Sequence, residues 1–139
     1  MEAIYTTAAT AKGGRNGHVS SNDGILDLEV RIPKEMGGQG GYTNPEQLFA
    51  AGYAACFESA LNHIAREKKI KVEETMVTAE VSIGKNDKGG FALAVKLHAY
   101  IKGVTAEVAD ELVKAAHETC PYSNATRGNI DVELKSSVD

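Results

Sequence analysis

Two cysteines carry most of the chemical interest of this chain. Cys56 lies in the apolar run Leu48 to Phe57, and Cys120 continues the stripe Ala109, Leu112, Val113, Ala116. Taken singly, each reads as a small buried hydrophobe, the usual fate of a free cysteine. Taken together they point to redox chemistry. If the helices that carry them pack through their apolar stripes, the sulfurs come within the Cα separation of about 4.4–6.8 Å that a disulfide requires. A thiol that attacks a peroxide has three needs. It must be ionised, and a free cysteine is only about 3% thiolate at neutral pH. The departing oxygen must be met by positive charge or hydrogen-bond donors. The sulfenic acid left behind must be captured before it oxidises further, which a second cysteine does.

Arg15, in Gly13-Gly14-Arg15-Asn16-Gly17, suits the first two tasks. Its cation lowers the energy of a thiolate, and its donors can grip peroxide oxygens. A plain glycine turn with an exposed arginine is the blander account of the same loop, which matches no phosphate-loop signature. Glu46 is able to fix the guanidinium in a bidentate pair, or simply to complement a helix dipole. Ten residues of straight helix put Glu46 about 15 Å from Cys56. It therefore reaches that sulfur only through a helix break near Gly52 or from a partner chain. His117 and Cys120 have the i, i+3 spacing of a metal pair, and His63 follows Cys56 on the same helix. With four His, two Cys and no CxxC, zinc is only weakly signalled, and solvated or core histidines are the default.

The elements that must position these residues are strongly patterned. Leu26, Leu28, Val30 and Ile32 alternate with charged neighbours, as a strand with one wet face does. Val77 to Ile83 and Phe91 to Ile101 repeat the alternation around Asn86-Asp87-Lys88-Gly89-Gly90, a hairpin turn. Residues 130–134 form a last strand, and 3–9 and 18–21 are weaker candidates. One helix opens at Asn44-Pro45-Glu46-Gln47, with an N-cap, Pro at the first position and acid in the first turn, and runs to about Lys68. A second starts near Thr105 and ends before Pro121. The order is strands, helix, hairpin, helix, strand. That predicts one α+β domain over 1–139 with antiparallel sheet, not a doubly wound parallel one. The first helix is apolar on every side from Leu48 to Phe57, which one chain of this size struggles to enclose. An obligate dimer with this helix near the interface is expected.

Composition narrows the partners. A net charge of −4 argues against nucleic acid or an anionic membrane. The longest apolar run is half of what a bilayer needs. No signal-peptide pattern opens the chain, so a cytoplasmic location is expected. Two cysteines there are not a disulfide framework.

The segments Thr43-Asn-Pro-Glu-Gln-Leu-Phe-Ala-Ala-Gly-Tyr-Ala-Ala-Cys56-Phe57 and Glu118-Thr-Cys120-Pro-Tyr-Ser-Asn-Ala-Thr-Arg-Gly-Asn129 strongly resemble the organic hydroperoxide resistance family, a branch of the OsmC-like proteins. The resemblance covers essentially the whole chain. It implies an intertwined homodimer, with sheets packed on a long central helix and a second helix, and two active sites at the interface. It implies reduction of organic and fatty-acid hydroperoxides to alcohols, with re-reduction by a lipoylated protein or dihydrolipoamide-type dithiol and no cofactor or metal. Cys56 matches the family's peroxidatic cysteine and Cys120 its resolving cysteine. Arg15 matches the arginine that holds thiolate and substrate, and Glu46 the acid that orients it. Asn16 stands where relatives commonly carry Asp. Phe49, Tyr53 and Phe57 would favour substrates with hydrocarbon tails, or else be plain core. The rival readings are a non-enzymatic dimer that binds a hydrophobic ligand and a zinc protein using His117 and Cys120.

Overall fold

A computed structural model describes residues 1–139, which divide into two compact units, 1–48 and 49–139. The first unit holds strands β1 (Ala9–Lys12), β2 (Gly17–Ser21) and β3 (Asp27–Val30) in one antiparallel sheet. Pairing begins only at Ala9. Ile4 and Tyr5 sit in exposed coil, so the strand expected over 3–9 is confined to its last residue. The alternation expected around β3 is present, but its apolar face is hardly covered. Val30 is buried, whereas Leu26 and Leu28 keep more than a third of their surface. Val30 and Asn44 are the only buried residues of this unit, far too little to constitute a core.

Helix α1 (Pro45–Glu67) starts in the first unit and continues in the second. The Asn44 side chain accepts a hydrogen bond from the Gln47 N–H at 2.9 Å, and Pro45 takes the position where no donor is needed. The helix then runs unbroken through Gly52.

The second unit adds β4 (Glu74–Lys85), β5 (Phe91–Lys102), α2 (Ala106–Thr119), α3 (Pro121–Thr126) and β6 (Val132–Ser137). Strands β4 and β5 form the expected hairpin, with Val77↔Ala99, Ala79↔Leu97 and Val81↔Val95 opposed on the inner face. The Asn86 carboxamide oxygen closes the turn by accepting from the N–H groups of Lys88 and Gly90. Strand β6 pairs with β5 in parallel, which corrects the expectation of a wholly antiparallel sheet. The physical reason is the connection: a chain that leaves β5 and returns through two helices re-enters from the same end. The α+β class stands.

Helix α2 is capped by Thr105, whose hydroxyl accepts from the Val108 N–H at 3.2 Å. Its stripe Ala109, Leu112, Val113 and Ala116 is buried, and Cys120 extends it with 0% exposure. These residues cluster with Tyr53, Phe57 and Leu61 of α1 and with Leu97, Ala99 and Ile101 of β5. Leu112 is fully enclosed. Leu112→Ala removes that packing and leaves a cavity, so a loss of about 2–5 kcal/mol is expected in denaturant unfolding.

Candidate active site

Pro121 decides where Cys120 stands. The residue before a proline is pushed out of the α region, and Cys120 has φ −63°, ψ 124°. It ends α2 and caps α3, which the proline restarts at once. The bend aims its sulfur at α1. Cys120 Sγ donates to Cys56 Sγ at 3.5 Å, and both thiols are free. Cys120 is wholly enclosed, whereas Cys56 is half-buried. A disulfide would need the sulfurs to close to about 2.05 Å and an oxidant to take up two electrons as both thiol protons leave.

Three influences set the protonation of Cys56. Burial pushes its thiol up, the backbone N–H of Tyr122 opposes that by donating to the sulfur, and the Cys120 thiol raises it further. No cation is among them. Within the single chain, burial and the neighbouring thiol thus disfavour ionisation of Cys56.

The Tyr122 donor was not foreseen. Residues 121–126 drew no element assignment because six residues show no helical period, although Pro after Cys is a helix-start signal. Tyr122 also lies over Gly52, one turn before Cys56. A Cβ at position 52 would stand 2.7 Å from the Tyr122 hydroxyl, so the small residue there makes room for this ring. Phe49, Tyr53 and Tyr122 form one aromatic cluster, with ring centroids 5.7–6.2 Å apart. Tyr53 and Phe57 have 0% exposure and pack in the core of the single chain, one of the two roles the sequence left open for them. Phe49 is half-buried and Tyr122 is 38% exposed, so these two aromatics retain open surface.

In the first unit, Arg15 and Glu46 form a bidentate pair. Nη1 donates to Oε1 at 2.6 Å and Nη2 to Oε2 at 2.9 Å. Arg15 sits in a turn at Gly14–Asn16 between β1 and β2. Gly13, at φ 86°, adopts a left-handed conformation, and a Cβ at Gly17 would stand 1.8 Å from the Lys12 carbonyl oxygen. The glycines are thus what lets this turn close tightly. Glu46 lies in the first turn of α1. Hydrogen bonds from Arg15 hold its carboxyl below the usual range against the opposing effect of burial. Arg15 is correspondingly raised. The pair contributes stability above the ordinary carboxylate value of 4.5 and loses it as pH falls through the depressed one. Two of the five guanidinium donors are spent on Glu46, so three remain, on a side chain 32% exposed. α1 does not break near Gly52, and the helix-break route from Glu46 to Cys56 is removed.

The histidines have other partners. His63 pairs with Glu67 at 2.9 Å on the exposed surface. His117 Nδ1 lies 2.8 Å from the Ser123 hydroxyl, and burial, followed by the charge of Arg127, pushes its pKa down. No three His, Cys, Asp or Glu side chains gather as a metal site.

Known proteins give the same geometry a context. The OsmC-like protein family profile matches residues 38–135. The organic hydroperoxide resistance protein OhrB of Bacillus subtilis is 51% identical, over 96% of this chain and 98% of its own. The organic hydroperoxide resistance protein of Xanthomonas axonopodis pv. citri is 49% identical over 96% of this chain and 94% of its own. The crystal structure of an organic hydroperoxide resistance protein from Elizabethkingia anophelis superposes with a TM-score of 0.97, at 58% identity and full coverage of both chains.

Proposed function

Because this chain belongs to the organic hydroperoxide resistance family of OsmC-like proteins, we propose that it is a thiol peroxidase that reduces organic hydroperoxides to alcohols. The 3.5 Å separation of Cys56 and Cys120 carries the reading. The Cys56 thiolate attacks the outer peroxide oxygen. The O–O bond breaks, the alkoxide leaves as the alcohol on taking up a proton, and Cys56 becomes a sulfenic acid. Cys120 then attacks that sulfur; the S–O bond breaks, the S–S bond forms, and hydroxide leaves as water with the Cys120 proton. A lipoyl-type dithiol reopens the disulfide by exchange and is itself oxidised. Nothing in this sequence of steps requires a metal or bound cofactor.

Ionisation is the demanding step, since burial opposes it. The Tyr122 N–H supplies one stabilising donor. The missing cation is Arg15 of the partner subunit, held by its glutamate and carrying three free donors toward thiolate and peroxide. Two observations support a shared site. The first unit buries almost nothing of its own, leaving Leu26 and Leu28 open. On α1, Ala51 and Ala55 are exposed in an apolar run. Both surfaces call for cover from a second copy. Phe49 and Tyr122 are the aromatics with surface left for a hydrocarbon tail, so alkyl hydroperoxides should react faster than hydrogen peroxide.

Stopped-flow oxidation of the reduced protein tests the reading. An alkyl hydroperoxide should outpace hydrogen peroxide by at least about tenfold, the order that a buried apolar group adds to discrimination. Equal rates would remove the substrate assignment. Dimerisation should persist at micromolar concentration in light scattering, and a well-folded monomer there would defeat the shared site.

A further inference from the structure

Four side chains and one carbonyl form a closed hydrogen-bonded chain beside the cysteines. The Thr126 hydroxyl donates to the Ser123 carbonyl at 3.2 Å, which spends its only proton. The Tyr53 hydroxyl, 3.1 Å from Thr126, must then donate to it. Ser123, 2.9 Å from Tyr53, must in turn donate to that oxygen. Ser123 can then only accept from His117, whose Nδ1 lies 2.8 Å away and therefore carries its proton there. With the Thr126 proton assigned to that carbonyl, every bond in the chain has one direction. Ser123 and Tyr53 have 0% exposure and Thr126 6%, so none of these hydroxyls has water as an alternative.

The placement of the chain is what gives it consequence. Tyr53 is one turn before Cys56 on α1, His117 one turn before Cys120 on α2, and Ser123 one turn after Cys120 on α3. Ser123 thereby ties α3 both to α1 and to α2. The bend between α2 and α3 is Cys120 itself. The same short helix carries the Tyr122 N–H that reaches Cys56.

Resting on the peroxidase reading above, we propose that Ser123, with Tyr53 and His117, is a positioning residue for disulfide closure. It sets how the Cys56 sulfenic acid divides between two fates. Attack by Cys120 gives the disulfide and water. Attack on a second hydroperoxide molecule transfers another oxygen to sulfur, giving sulfinic acid and a second alcohol. To close, the sulfurs must move from 3.5 Å to bonding distance along a defined line, and the bend is held on that line from both sides. Misplacement on the scale of an ångström costs an intramolecular step far more than a bimolecular one.

The test is single-turnover oxidation by cumene hydroperoxide, at one and at ten equivalents, followed by stopped flow and intact mass. In Ser123→Ala the first oxidation should stay within about threefold of the parent, while closure slows by about tenfold or more. At ten equivalents a product heavier by about 32 Da should replace most of the disulfide. Tyr53→Phe should shift the division the same way, and it carries the test if Ser123→Ala does not fold. His117→Ala should behave like Ser123→Ala, whereas His117→Asn, which restores a donor near the Nδ1 position, should recover closure. A general loosening would slow both steps together, and that outcome overturns the proposal. So does a division like the parent's in both Ser123→Ala and Tyr53→Phe. Parent protein that leaves the hydroperoxide untouched would instead overturn the peroxidase reading itself.

Discussion

Cys56→Ser is expected to abolish hydroperoxide reduction, with turnover falling by several orders of magnitude, as loss of a sole nucleophile does. A serine hydroxyl in the same half-buried place is neither ionised nor soft enough to take an oxygen atom. Cys120→Ser should differ in kind. Its first oxidation should proceed at close to the parent rate, because Cys120 lies behind Cys56 and is wholly enclosed. The sulfenic acid then has no resolving thiol, and Cys56 gains a second oxygen for a total of about 32 Da. Rapid-mix kinetics with mass analysis separates the two. Equal loss of the first turnover in both variants would show that the roles of nucleophile and resolver are wrongly divided.

Arg15→Ala should have the next largest effect, and its dependence on pH carries the information. Burial already pushes Cys56 up within one chain. A cation within about 4–6 Å lowers an acidic group by about 1–3 units. Without it, the thiolate fraction at pH 7 drops to about 3% or less, a loss of about 30-fold. That part should shrink as pH rises and be regained in part at pH 9, because burial holds the thiol above its ordinary range. Loss of the donors that meet the departing oxygen does not depend on the thiol's ionisation. Removing one such donor costs on the order of 10²-fold. The expected profile is therefore a large deficit at pH 7 that is only partly recovered at pH 9. Full recovery would make Arg15 purely electrostatic, and no pH dependence would make it purely a substrate clamp. Glu46→Ala should act in the same direction and more weakly, since it frees the guanidinium without discharging it.

The sequence was most legible where local signals were strong. Asn44, Pro45 and Glu46 mark the start of α1 because capping is a local event, and the Val77–Ile83 and Phe91–Ile101 alternations survive as β4 and β5. Cys120 before Pro121 announces the end of α2 for the same reason. What stayed hidden was non-local. The parallel β6 depends on a crossover that its own residues do not encode. Helix α3 is too short for a period, so nothing local singled out Tyr122 and Ser123. The Arg15–Glu46 pair spans 31 residues, so residue chemistry could offer it only beside a blander reading of each side chain, and the family resemblance tipped the choice. Aromaticity near Cys56 left the roles of Tyr53 and Phe57 open, because their enclosure is decided by β5 and α2.

The central claim is that one hydroperoxide converts Cys56 and Cys120 into a disulfide. Intact-mass measurement of the reduced protein after one equivalent of an alkyl hydroperoxide addresses it directly. The account predicts a loss of about 2 Da per chain, reversed by dihydrolipoamide, with one equivalent of alcohol released. Unchanged mass with the hydroperoxide intact, or a stable gain of oxygen with both cysteines still unlinked, would contradict it.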